Sequence, residues 1–95
     1  MIIYEVNIDI MINKKDKFKS WLTMHADKML KFDGFTKYDI YNNKNNELSF
    51  CIHYHINSLE NFEKYIDLHS NDMRLRGKIE FDGEMIINRR VLKKI

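Results

Sequence analysis

The chain has no proline, only three glycines and a single cysteine. Without proline, no backbone φ is locked by a ring and no turn is built on one. Gly34, Gly77 and Gly83 stand alone, so neither a GxGxxG nor a GxxxxGK phosphate loop exists. The lone Cys51 excludes an intramolecular disulfide and a cysteine-paired zinc site, and it fits a reducing compartment. No apolar stretch approaches the ~18 residues that a membrane-crossing helix needs, so no membrane partner is expected. Charge is not one-sided: 16 basic and 14 acidic residues leave +2. The basic clusters Lys14-Lys15-Lys17 and Arg89-Arg90 with Lys93-Lys94 are short and carry no aromatic interleaving, so no nucleic-acid partner is expected. Residues 1–12 carry Glu5 and Asp9 inside an alternating pattern. A signal peptide would need a charged start and an unbroken apolar run, and the expected location is therefore the cytoplasm.

What the chain does have is apolar material, 44% hydrophobic and 13% aromatic over 95 residues. That suffices for one core and one domain, 1–95, near the small end of what folds alone. At this size, self-association would add useful burial.

Periodicity divides the chain into six elements. Residues 2–12 alternate, with Ile2, Tyr4, Val6, Ile8, Ile10 and Ile12 on one face and Ile3, Glu5, Asn7, Asp9 and Met11 on the other, which is a strand. Asn13 stands where an N-cap belongs. Phe18, Trp21, Leu22, His25, Met29 and Phe32 then recur at helical spacing over about 18 residues. Asp33-Gly34 ends that helix. A second strand runs from Phe35 to Tyr41, and the polar run 42–46 reads as a turn that accepts positive φ. Residues 47–56 alternate again, with Leu48, Phe50, Ile52, Tyr54 and Ile56 opposite Ser49, Cys51, His53 and His55. Ser58 caps a second helix reaching about Arg76, with Phe62, Tyr65, Ile66, His69 and Met73 on its apolar stripe and Gly77 at its end. Asp82-Gly83 marks a turn, and residues 84–93 a last strand in which Met85, Ile87 and Val91 oppose Ile86, Asn88, Arg90 and Leu92.

The order βαββαβ, with each half crossing over right-handed to a parallel neighbour, predicts an α+β, ferredoxin-like domain. It is a four-stranded antiparallel sheet in the spatial order 4-1-3-2, with both helices on one face. The other face would carry Ile3, Glu5, Asn7, Asp9, Cys51, His53 and His55. That face is too polar for a dry core and too patterned for a random surface. Two sheets packed face to face across a twofold axis would bury it, so a homodimer through the sheet face is expected. His53-x-His55 puts two imidazoles on one strand face, with Glu5 or Asp9 as a conceivable third ligand. Satisfaction by neighbours or water is the expectation, and no metal is assigned.

The opening Met1-Ile2-Ile3-Tyr4-Glu5-Val6-Asn7, Trp21-Leu22 with His25, Gly34-Phe35-Thr36, residues 58–69, Arg74-Leu75-Arg76 and Arg89-Arg90-Val91-Leu92 carry a resemblance over nearly the whole chain. It resembles an uncharacterised family of short bacterial proteins placed with the dimeric α/β barrels, the superfamily of the antibiotic-biosynthesis monooxygenases. That resemblance implies a dimer and brings no assigned activity. Among relatives, the haem-degrading branch uses an Asn on the first strand, a Trp on the second helix and an axial His about three turns further on. Asn7 and Tyr65 stand near the first two places, but Leu75 stands near the third and cannot bind iron. No cofactor is therefore expected.

Both helical stripes face the same sheet, so His25 and His69 are expected to approach one cleft and are the candidates for proton transfer. Trp21, Tyr65, Tyr4 and Arg74 are the candidates for binding a small apolar or aromatic molecule there. If the protein is an enzyme, cofactor-independent oxygenation or isomerisation is the chemistry typical of the superfamily that it resembles. The alternative is a non-catalytic binding or regulatory module acting through its dimer surface.

Overall fold

The computed structural model describes residues 1–95. The elements are β1 (Ile2–Ile10), α1 (Lys15–Met29), β2 (Phe35–Asn43), β3 (Asn46–Ile56), α2 (Leu59–Leu68), α3 (Ser70–Glu80) and β4 (Met85–Lys93). The sheet order is β2-β3-β1-β4, and every pairing is antiparallel. This is the expected ferredoxin-like arrangement. The two strands of each half run parallel but are not neighbours, which corrects the expected crossover to a parallel neighbour, because β3 separates β1 from β2 and β1 separates β3 from β4.

Strand β1 is central, and its alternation is what the fold uses. Ile2, Tyr4, Val6, Ile8 and Ile10 are all buried under the helices, beside Phe50, Ile52, Tyr54 and Ile56 of β3. From above, α1 adds Phe18, Leu22, Ala26 and Met29, and α2 with α3 add Phe62, Tyr65 and Met73. These belong to one core of 18 buried side chains, closed at the far end by Phe81. Phe18 is central to it, with ring centroids 5.0 Å from Phe50 and 5.4 Å from Phe81.

Several sequence expectations shift. The first strand ends at Ile10, and a 3-10 turn over Ile12–Lys14, closed by Lys14 N–H donating to Met11 O at 3.0 Å, holds Asn13 inside it. Lys14 becomes the N-cap of α1, without a side-chain cap, so Asn13 does not cap the helix. The Asn-rich turn narrows to Lys44 and Asn45, and it has no positive φ. A bulge between Asn42 and Asn43 and two side-chain bonds, Asn43 Oδ1 from Asn45 N–H and Asn46 Oδ1 from Leu48 N–H, reverse the chain instead.

The second helix is broken at His69, whose φ of −130° leaves the helical region. Next to it, the buried Ser70 donates its hydroxyl to Ile66 O at 2.6 Å, a back-bond that bends helices. The helix then runs through Gly77 to Glu80. Gly77 is therefore no terminator. A Cβ there would meet Trp21 Cη2 at 3.0 Å, so glycine lets α3 approach α1.

Gly34 and Gly83 hold φ of +83° and +72°. At Gly83 a Cβ would meet nothing, and Gly83→Ala carries only the left-handed backbone cost of about 1 kcal/mol. At Gly34 a Cβ would lie 2.6 Å from Asn57 Oδ1 and 2.7 Å from Asn61 Cβ, so α2 itself would have to shift. Gly34→Ala is expected to lose about 3 kcal/mol in urea unfolding, the backbone cost plus an overpacking cost. Equal losses in the two variants would refute the packing role of Gly34.

Candidate functional site

Between the helices and the inner sheet face lies a cavity of about 50 Å³, lined by 16 residues of which 12 are hydrophobic. Every element except β2 contributes to it. Tyr4, Val6 and Ile8 come from β1, Trp21, Leu22, His25 and Met29 from α1, and Ile52 and Tyr54 from β3. Tyr65 comes from α2, Met73, Arg74 and Gly77 from α3, and Met85, Ile87 and Arg89 from β4. Trp21, His25, Tyr65, Tyr4 and Arg74, all singled out in the sequence, thus share one cavity.

His69 does not join them. The break after α2 turns it outward, and it lies exposed and stacked on Phe32 with centroids 4.5 Å apart. Its neighbours there include Lys31, Asp33 and Lys64. The expectation of two imidazoles in one cleft is corrected on this point: helical spacing places His69 under α2 only if the helix runs straight through it.

His25 is half-buried and stacks on Trp21 at 4.5 Å and 16°, one turn away on the same helix. Neither ring nitrogen has a protein hydrogen-bond partner. Burial, with Arg76 and Lys28 nearby, pushes its pKa down to about 4. Its imidazole is therefore neutral at pH 7 and free to accept a proton.

The polar groups gather around the tyrosines. Arg74 Nη2 donates to Tyr4 Oη at 3.3 Å. The Tyr4 ring lies 6.0 Å from both Tyr54 and Tyr65. Burial raises the pKa of Tyr54 and Tyr65, which keeps both hydroxyls protonated as donors. Two polar lining residues escaped the sequence reading of the site. Tyr54 was legible only as a core position, and Arg89 shares the inward register of Met85 and Ile87, where an arginine stands out.

The outer sheet face carries a different network. Glu5, 5% exposed, accepts from Arg90 Nε, pairs with His53 Nε2 at 2.8 Å and accepts from Asn7 Nδ2 at 3.0 Å. Arg90 first, then His53 and Asn7, hold its pKa at about 2. His55 Nε2 pairs instead with Asp39 at 3.0 Å, so the His53-x-His55 imidazoles are drawn to different carboxylates. Glu5, Cys51 and His53 place ligand atoms within 4.8 Å of one another. A metal there would have to displace Arg90 from Glu5, and burial and Glu5 both raise the Cys51 pKa toward the thiol form. The cluster reads as an ion-pair network.

Residues 1–95 match the model of a family described as a domain of unknown function, DUF4286. The chain belongs to that family. No curated protein matches it. A crystal structure from Deinococcus radiodurans, named after antibiotic biosynthesis monooxygenases, is similar at a TM-score of 0.80 and 13% identity, covering 99% of this chain and 92% of that one. A Nitrosomonas europaea structure named likewise gives 0.78 and 12%, covering 100% and 99%. SnoaB, a cofactor-independent oxygenase from Streptomyces nogalater, gives 0.76 and 11%, covering 99% and 93%. The ferredoxin-like fold of this chain is shared with these antibiotic-biosynthesis-monooxygenase-like structures. Leu75 is 51% exposed, and Asn7 donates to Glu5. No helix is long and apolar enough to cross a membrane.

Two acid limbs follow from these environments. His25 ordinarily titrates at 6.5 and here at about 4, so the unfolded chain binds its proton first as pH falls. Its contribution is intact above pH 6.5 and is lost progressively down to pH 4. His25→Gln is expected to flatten stability across that window, as measured by urea unfolding at a series of pH values. For Glu5, ordinarily at 4.5 and here at about 2, the contribution is intact above pH 4.5 and is lost as pH falls to 2. Glu5→Gln is expected to flatten only that lower window. An unchanged slope in either variant's own window would contradict the environment described for that residue.

Proposed function

We propose that this protein binds a small apolar or aromatic molecule in the cavity between helices and sheet, as a homodimer paired through the outer sheet face. One observation carries the reading. A mainly apolar cavity presents an unpaired neutral imidazole, a group of tyrosine hydroxyls and two arginines, the usual composition of a small-molecule site. His25 is suited to accept a proton from such a molecule. Proton abstraction is the opening step of an isomerisation and a route to the electron-rich anion that a cofactor-independent oxygenation needs. The fold shared with SnoaB supports this class of chemistry by analogy only, since one fold hosts many functions. In this reading Trp21 forms one wall, Tyr4 and Tyr65 orient an oxygen, and His69 takes no part. The absence of disulfide-forming cysteines supports a cytoplasmic setting.

The outer face supports dimerisation because its buried charge is already paired: Glu5 meets Arg90 and His53, and His55 meets Asp39. A second face-on copy would cover carboxylates that are already paired, at a lower desolvation cost than unpaired ones, and would meet one buried atom without a partner, His55 Nδ1. A second reading, a non-catalytic module acting through that face, is favoured by the cavity's size. At about 50 Å³ it is a third of the ~150 Å³ that encloses benzene.

Native mass spectrometry of gently purified protein, with no ligand added, separates these readings. The expected result is a dimer carrying a reproducible extra mass that His25→Gln or Tyr65→Phe reduces. A bare dimer would favour the module, and a bare monomer would remove the face-to-face assembly.

A further inference from the structure

Arg74 and Arg89 differ from the other arginines of this chain. Arg76 pairs with Asp72 at 3.2 Å, and Arg90 pairs with Glu5. Arg74 and Arg89 have no carboxylate partner, yet both line the cavity, and no aspartate or glutamate lines it with them. With His25 neutral, the lining carries two uncompensated positive charges. They come from different elements, α3 and β4, so a local helix effect does not account for both.

The tyrosines supply an independent observation. The rings of Tyr54 and Tyr65 are buried, 2% and 3% exposed, but their hydroxyls are not themselves buried, since the one buried side-chain polar atom without a partner is His55 Nδ1 on the outer face. Both residues line the cavity, and their O–H donors are committed to no acceptor of the protein. Tyr4 Oη already accepts from Arg74 and keeps its own proton to donate. Arg74 and Arg89 both act electrostatically on the Tyr65 hydroxyl, which places the two charges and the free donors in one neighbourhood.

We infer that the cavity is built for the carboxylate head of a small apolar or aromatic acid, held by Arg74 and Arg89 and by the hydroxyls of Tyr4, Tyr54 and Tyr65. Guanidinium groups match the flat, two-oxygen geometry of a carboxylate, and hydrogen bonds to a charged acceptor are the stronger kind. The size agrees: a volume of about 50 Å³ suits a carboxylate with little more than its first carbon. The rest of the molecule extends out of the cavity past the exposed Arg74 and Arg89. This inference rests on the reading of the cavity as a ligand site and names the class of its ligand.

The test uses benzoate and benzamide, which share a ring and a nearly identical shape and differ in charge. Binding is followed by calorimetry and by the NMR signals of the Trp21 indole and the three tyrosine rings, in the full chain. Benzoate is expected to shift those signals and benzamide to bind at least ~10-fold more weakly, since the lost contacts are charge-assisted. Arg89→Met and Arg74→Met are each expected to weaken benzoate at least ~10-fold. Tyr54→Phe and Tyr65→Phe, which keep the rings packed, are expected to weaken it less. Circular dichroism confirms that each variant is folded, and Arg89→Met, on an exposed side chain, serves if Arg74→Met is not. Equal binding of the two probes, or benzoate affinity unchanged in the arginine variants, overturns the inference. Benzamide alone shifting Trp21 would leave the cavity a ligand site and overturn only the carboxylate. Neither probe shifting it would overturn both.

Discussion

Strand β1 is hydrogen-bonded along both edges, to β3 and to β4, and this double pairing sets the register of the whole domain. Its side chains alternate, so a slip of one residue would exchange its two faces. One face carries Tyr4, Val6 and Ile8 into the core and the cavity. The other carries Glu5 and Asn7 into the outer ion-pair network. The same register that aligns Glu5 with His53 and Arg90 aligns Tyr4 with Tyr54 and Val91. The two networks are thus built on adjacent residues of one strand. A substitution that loosened β1 would disturb both at once.

The inner layer is held largely by rings. Tyr4 lies among Tyr54, Phe62 and Tyr65, and Phe32 and Phe35 extend the group toward the end of β2. Aromatic side chains bury much surface with few rotatable bonds, which suits a chain this short. Rings that meet by tilted and edge contacts do not fill space as evenly as aliphatic chains. Tyrosines in such a layer also bring hydroxyls that need partners. The cavity and its polar neighbourhood are therefore consequences of how this core is made. Gly77 sets the spacing on the other side, since it alone permits α3 to come so near Trp21.

Most of the fold was legible because it rests on periodicity. The alternation of residues 2–10 and 47–56 and the helical stripe through Phe18, Leu22 and Met29 each name a buried face, and βαββαβ then leaves one economical sheet order. What was not legible is local and three-dimensional. The Ser70 back-bond that turns His69 outward depends on Ser70 being buried, which a sequence does not state. Gly77 looked like a terminator because the ring of Trp21, 56 residues away, cannot be seen from its own neighbourhood. On the site, alternation placed Tyr4 and the helical stripes placed Trp21, His25 and Tyr65. Arg89 lies on β4 and so belongs to no helical stripe, although its inward register is visible beside Ile87.

His25 decides what kind of chemistry the cavity can support. A histidine at its ordinary pKa near neutrality serves as acid and base in turn, but this one is held neutral by burial and by two nearby cations. It can accept a proton and gives one back readily, so it is a weak base and a poor resting acid. Such a group is useful where the substrate proton is already acidic or where the resulting anion is stabilised. In the proposed reading, Arg74 and Arg89 and the protonated tyrosine hydroxyls would supply that stabilisation in the same cavity. The low basicity of His25 and the surplus positive charge are then two parts of one electrostatic arrangement. The cations that lower the imidazole pKa, Arg76 and Lys28, are distinct from those that line the cavity, so the proposed base and the proposed anion site can be altered separately.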